Sequence, residues 1–160
     1  MAYESDRITQ RLNDLVSSQE LYMNLIAFDE LNLAEQALIG TWELANEVYN
    51  GGFTQYFHNS SRDHAKPMVA VLRLIGADCV ATILEKAIAL AGPGTRWGAE
   101  CNYLAALKLT PEEVRESVKD LERDLYNELD SLHHIVFRYL SKHRDQIDTP
   151  SDFWTELTIQ

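Results

Sequence analysis

Apolar residues recur at helical spacing almost from end to end of this chain, and no stretch alternates cleanly at period two. A half-buried strand would show that alternation, so the helical spacing throughout predicts an all-α fold. At 160 residues the chain can bury one continuous core. Its 46% apolar and 24% charged content is that of a folded globule, not of a disordered segment. The expectation is a compact single-domain helical bundle over residues 1–160, of about five to seven helices.

A first helix carries Ile8, Leu12, Leu15 and Val16 on one face, and either continues through Ser17-Ser18 or breaks there. The next places Leu31, Ala34, Leu38, Trp42, Ala45 and Tyr49 on one stripe. It should stop at Asn50-Gly51-Gly52, because glycine takes the left-handed conformation that ends helices. Residues 53–61 read as a short aromatic segment of about one helical turn. Pro67 suits the first turn of a helix with Met68, Leu72 and Ile75. Gly76 separates it from another, with Asp78 as cap and Val80, Ile83, Leu84, Ala87 and Ile88 as its apolar residues. This pair is apolar on most sides and is expected to be the most buried layer. After the break at Gly92-Pro93-Gly94, Thr95–Gly98 reads as a loop around Trp97. Thr110, Pro111 and Glu113 then form a capping box that opens a long helix. Its stripe is Val114, Val118, Leu121, Leu125, Leu129, Leu132, Val136 and Tyr139, with a break at Ser131 left open. Pro150 ends helix formation before a tail holding Phe153 and Trp154.

The formal charge of −11 argues against direct binding of nucleic acid or anionic membranes, which require a basic patch. It favours a basic protein as partner, and would speed that encounter at low salt. The charge is uneven. Residues 1–50 hold nine acids and two bases, residues 111–130 eight acids and three bases, and residues 51–110 a slight basic excess. A salt-bridged helical surface would balance its signs, and the first segment does not. Met1–Asp6 shows no secretory start, and the apolar run Val80–Ala91 is short and interrupted by Glu85 and Lys86. Cys79 and Cys101 have neither paired metal-ligand spacing nor a disulfide framework. A cytoplasmic protein is expected.

Little in the chain points to catalysis. His58 to His64 includes serine, histidine and aspartate within seven positions. A triad needs fold-imposed geometry and an oxyanion hole, and no Gly-x-Ser-x-Gly elbow is present. A di-iron site needs Glu-x-x-His on two helices, and only Asp130 with His133 approaches that spacing. No phosphate-cradling glycine loop appears. We expect no catalytic residue, no metal and no cofactor.

The run from Glu47 to Ser61 contains Asn50-Gly51-Gly52-Phe53, Gln55-Tyr56-Phe57 and Asn59-Ser60. It resembles the signature of a bacterial domain-of-unknown-function family that includes acidic proteins described as DNA mimics. The resemblance extends to Leu74-Ile75-Gly76-Ala77 and Thr82 to Ala87, and covers about residues 30–145. It implies an all-α fold, often dimeric, without a cofactor, in a protein that presents a DNA-like run of charge to a DNA-binding protein. On physical grounds the signature reads as structural. Gly51 and Gly52 permit a turn, while Phe53, Tyr56 and Phe57 have the spacing that drives rings into a core. Gln55 and Asn59 can satisfy backbone groups at the turn, or with Tyr56 line a ligand pocket.

The expected function is that of an acidic regulatory binding protein. Asp29, Glu30, Glu35, Glu43, Glu47, Glu112, Glu116, Asp120 and Asp124 are its candidate partner-binding residues. A helix face repeats its positions every ~6 Å and duplex DNA its phosphates every ~3.4 Å of axis, so one helix imitates DNA only coarsely. Two alternatives stand beside it: an adaptor or toxin-neutralising module, and an enzyme with a site near the 50–64 turn.

Overall fold

The computed structural model describes residues 2–23, 25–59, 63–91, 112–150 and 152–154. Every regular element among them is helical. Helix α1, Ala2–Met23, runs unbroken through the serine pair. Ser17 and Ser18 return their hydroxyls to the carbonyls of Asn13 (2.8 Å) and Leu15 (2.7 Å), so neither competes with the helix. Ile8, Leu12, Leu15 and Val16 are buried as expected.

A 3-10 turn at Phe28–Glu30 leads into α2, Leu33–His58. Asn32 caps it, accepting from the N–H of Ala34 (2.9 Å) and Glu35 (3.1 Å), while Glu35 accepts from the Asn32 N–H (2.9 Å). The buried stripe of α2 is Ala34, Ala37, Leu38, Thr41, Leu44 and Val48. The expected stripe is corrected here: Trp42 and Ala45 are only half-buried, and Tyr49 is 74% exposed. Small residues explain the rotation. A Cβ at Gly40 would overlap Met68 Sδ, so α2 turns its least bulky side to its neighbour.

The Asn-Gly-Gly segment breaks the regular helix where expected, because Gly51 and Gly52 both leave helical φ/ψ. α2 is thus two helical stretches joined across a sharp bend. Gly52 has φ 71° and ψ −173°, a region nearly closed to other residues, and the helix resumes at once with Phe53.

Helices α3 (Ala65–Leu74) and α4 (Asp78–Ala91) form a hairpin about Gly76, whose φ is 88°. Asp78 is the first residue of α4, where its carboxylate still favours the helix N-terminus. Met68, Leu72, Ile75, Val80, Ile83, Leu84 and Ala87 are buried, with Ile88 partly so. The hairpin is nonetheless not the innermost layer. Lys66, Arg73, Leu74, Cys79, Glu85 and Lys86 leave one side in solvent. The centre belongs to α2 and to α5, Glu112–Lys142, each packed against three other helices.

Helix α5 passes Ser131 without a break. Val118, Leu121, Leu125, Leu132 and Val136 are buried, joined by Phe137 and Leu140, while Leu129 and Tyr139 lie at the rim. The expected Thr110 cap and Trp97 loop lie outside the described residues, as does the Val114 side chain. Helix formation ends at Lys142, before Pro150, with a 3-10 turn at Arg144–Gln146. Phe153 is buried against Phe137, and the Arg144 guanidinium lies 4.8 Å from the Trp154 ring centroid. Arg11 of α1 donates to the Phe153 carbonyl, fastening the tail across the bundle end. None of the described helices is long and apolar enough to cross a membrane.

Candidate functional site

The bend in α2 interrupts a helix at the edge of the core, which leaves partly buried backbone groups without their helical partners. Helix α5 supplies replacements from residues one turn apart. Glu122 Oε1 accepts from the Phe53 N–H at 2.8 Å, and the Tyr126 hydroxyl donates to the Val48 carbonyl at 2.7 Å. A Cβ at Gly52 would overlap the Glu122 carboxylate, so the glycine is needed for space as well as for φ. Phe53 and Phe57 are fully buried and stack at 5.8 Å, with Tyr56 against Phe57 at 5.3 Å. Burial, with Glu43 and Glu47 nearby, pushes the Tyr56 hydroxyl pKa well up, so it stays neutral.

The polar residues of the turn act within the chain. The amides of Gln55 and Asn59 both donate to Glu47 Oε2 at 2.7 Å, joining the two halves of α2 across the bend. His64 Nδ1 lies 2.8 Å from Glu43 Oε2, and its ring stacks on Phe28 at 4.3 Å. Glu122 and Tyr126 were absent from the sequence reading. Their i,i+4 spacing on an acidic helix carries no signal until α2 is laid beside it.

The nine acids fall into separate groups. Glu35, Glu43 and Glu47 are half-buried and engaged in the cap, the His64 pair and the Gln55–Asn59 clasp. Asp29 and Glu30 are exposed on the 3-10 turn. That turn lies at the end of the bundle where α5 finishes, since the Asn32 amide donates to the Gln146 carbonyl at 2.8 Å. At 1.5 Å per residue, Asp124 stands on the order of 25 Å back along α5.

Glu116, Asp120 and Asp124 do fall together, exposed at successive i,i+4 positions of α5. Glu112 opens α5 on the same register, and half-buried Glu128 continues it. Lys119 and Arg123 lie beside the stripe, 2.9 Å from Glu116 and Asp120 respectively. Across a groove of about 450 Å³, Asp78 of α4 faces Asp124 and Glu128, with Thr82 and Asn127 between. Asp78 and Glu128 thus extend the acidic surface beyond the residues named from sequence. Asp78 shares Arg73 with Glu85, at 3.8 and 2.8 Å.

His133, considered above for metal spacing, is turned inward. Its Nδ1 lies 2.9 Å from the Thr9 hydroxyl, and burial lowers its pKa against the opposing pull of Asp130. No cluster of three or more metal-ligating side chains occurs among the described residues. A family model described as DMP19-like protein matches residues 29–143, nearly the span of about 30–145 over which the resemblance was read. Searches of curated proteins and of solved structures return no match.

Proposed function

The chain belongs to the DMP19-like protein family, and from that premise we propose that it is an acidic regulatory binding protein of the cytoplasm. It acts as a DNA mimic, occupying the DNA-binding surface of a basic protein. The observation that carries this reading is the stripe of Glu116, Asp120 and Asp124, exposed on the outermost face of α5 and widened by Asp78 across the groove. Four carboxylate positions from 116 to 128 span about 18 Å of helix at 1.5 Å per residue. Lys119 and Arg123 offset part of that charge, as exposed pairs do weakly. A basic surface meeting the stripe would release counterions on both sides, the same driving force that DNA supplies. The protein works without a cofactor and does not itself bind nucleic acid.

The direct test is competition. A basic partner eluted by salt from native cell extract is purified, then titrated with this protein in the presence of labelled duplex DNA. The reading expects the DNA to be displaced, and the purified protein alone to leave the DNA unbound. A ternary complex in which DNA and protein bind the partner together would overturn the mimic reading.

A further inference from the structure

Two tyrosines stand at the surface beside the bend of α2. Tyr49 is 74% exposed and Tyr126 is 42% exposed, and their rings meet edge to face at 6.4 Å. Tyr126 is fixed in place, because its hydroxyl is held by the Val48 carbonyl. Tyr49 is carried by the helical turn just before Gly51, and most of its ring faces solvent. Two adjoining tyrosine rings in solvent, one of them fixed by its hydroxyl, offer an aromatic contact face of the kind enriched at protein interfaces.

Its electrostatic setting is one-sided. Glu122 and Asp130 lie one turn to either side of Tyr126 on α5. Glu122 is anchored by the Phe53 N–H, and its charge is felt at Tyr126. The nearest cation in sequence, Arg123, turns to Asp120 at 2.9 Å. A tyrosine face flanked by carboxylates complements one side chain above others. Guanidinium stacks on an aromatic ring through its plane and still offers its edge donors to a carboxylate, whereas ammonium is a compact, strongly hydrated point charge.

We propose that Tyr49 and Tyr126, with Glu122 and Asp130, form an aromatic anchor for an arginine of the basic protein partner. The inference rests on the proposed function for the existence of such a partner, and adds which side chain that partner inserts and where. It places the specific contact at the bend, while the α5 stripe supplies long-range attraction. Interfaces concentrate their energy in this way, in tyrosine and arginine within a surround of weaker contacts.

The test uses labelled arginine-only and lysine-only peptides of equal length, titrated by fluorescence anisotropy into the full chain. The arginine peptide should bind about two- to fivefold more tightly, the range expected of an exposed cation–π contact. Tyr49→Ala should abolish that preference at unchanged melting temperature, and Tyr49→Phe should retain it. Equal binding of both peptides by the unaltered protein, or a preference that survives Tyr49→Ala, would overturn the proposal. So would sedimentation showing that Tyr49→Ala converts a dimer to a monomer, which would make the pair a contact between two copies. Glu116→Lys/Asp120→Lys serves as the separate arm. If it leaves both affinities unchanged, the acidic-stripe reading fails, while the Tyr49 result still decides the anchor.

Discussion

At Gly52 two demands meet, a backbone region closed to other residues and a carboxylate where a side chain would stand. Gly52→Ala should therefore cost about 1–3 kcal/mol from backbone strain, with the displaced Glu122 adding to it. Phe57, fully buried between Phe53 and Tyr56, should cost about 3–5 kcal/mol on truncation to alanine. Denaturant unfolding measures both, and an unchanged midpoint for Phe57→Ala would remove the ring from the core. His133 gives the residue-level pH dependence. Its folded pKa is lowered, first by burial, so the unfolded chain takes up its proton more readily. Its stabilising contribution is present above the ordinary value near 6.5 and is lost as pH falls through that value toward the folded one. His133→Gln should lose less melting temperature than the unaltered protein between pH 7.5 and 5.5. An equal loss would assign the acid sensitivity to other groups.

Among the elements, α2 carries the clearest lesson about what a sequence discloses. The rings at 53, 56 and 57 were legible, because i,i+3,i+4 spacing has one structural consequence in a helix. The glycines were legible as a conformational break, but the contacts that hold the two helical stretches together across it were not. Those contacts depend on Glu122 and Tyr126 arriving from a helix some seventy residues away to satisfy Phe53 N–H and Val48 C=O. The spacing read for α2 places Leu31, Ala34 and Leu38 correctly, but carried on through Trp42, Ala45 and Tyr49 it drifts off the buried face. Close packing at Gly40 instead buries the small Ala37 and Thr41 and leaves Tyr49 outside. Glu122→Ala should cost about 1–2 kcal/mol, since it strands the Phe53 N–H. Tyr126→Phe should cost about 1 kcal/mol through the Val48 carbonyl, and no loss in either variant would mean that water replaces these bonds.

Over the whole molecule, the charge of −11 was readable at once, and its division into working groups was not. Glu43 and Glu47 carry the same formal charge as Glu116 and Asp120, yet the first two hold His64, Gln55 and Asn59 in place. The second two stand in solvent, paired with Lys119 and Arg123 of their own helix. Sequence gives charge and register, while partnership is a property of the packed chain. The two pairs should therefore behave differently when reversed. Glu43→Lys/Glu47→Lys should lower stability by about 1–3 kcal/mol, because half-buried donors lose their acceptor. Glu116→Lys/Asp120→Lys should stay within about 0.5 kcal/mol of the unaltered protein, as exposed substitutions generally do.

That contrast leads to the measurement that tests the acidic-surface account most directly. The affinity of Glu116→Lys/Asp120→Lys for the purified basic partner is determined across a salt series beside that of the unaltered protein. Binding by the unaltered protein should weaken linearly in log–log form as salt rises. The reversed protein, equally well folded, should bind more weakly at low salt and with a shallower slope, the difference appearing mainly in the association rate. Identical affinities with a flat salt response in both would contradict it.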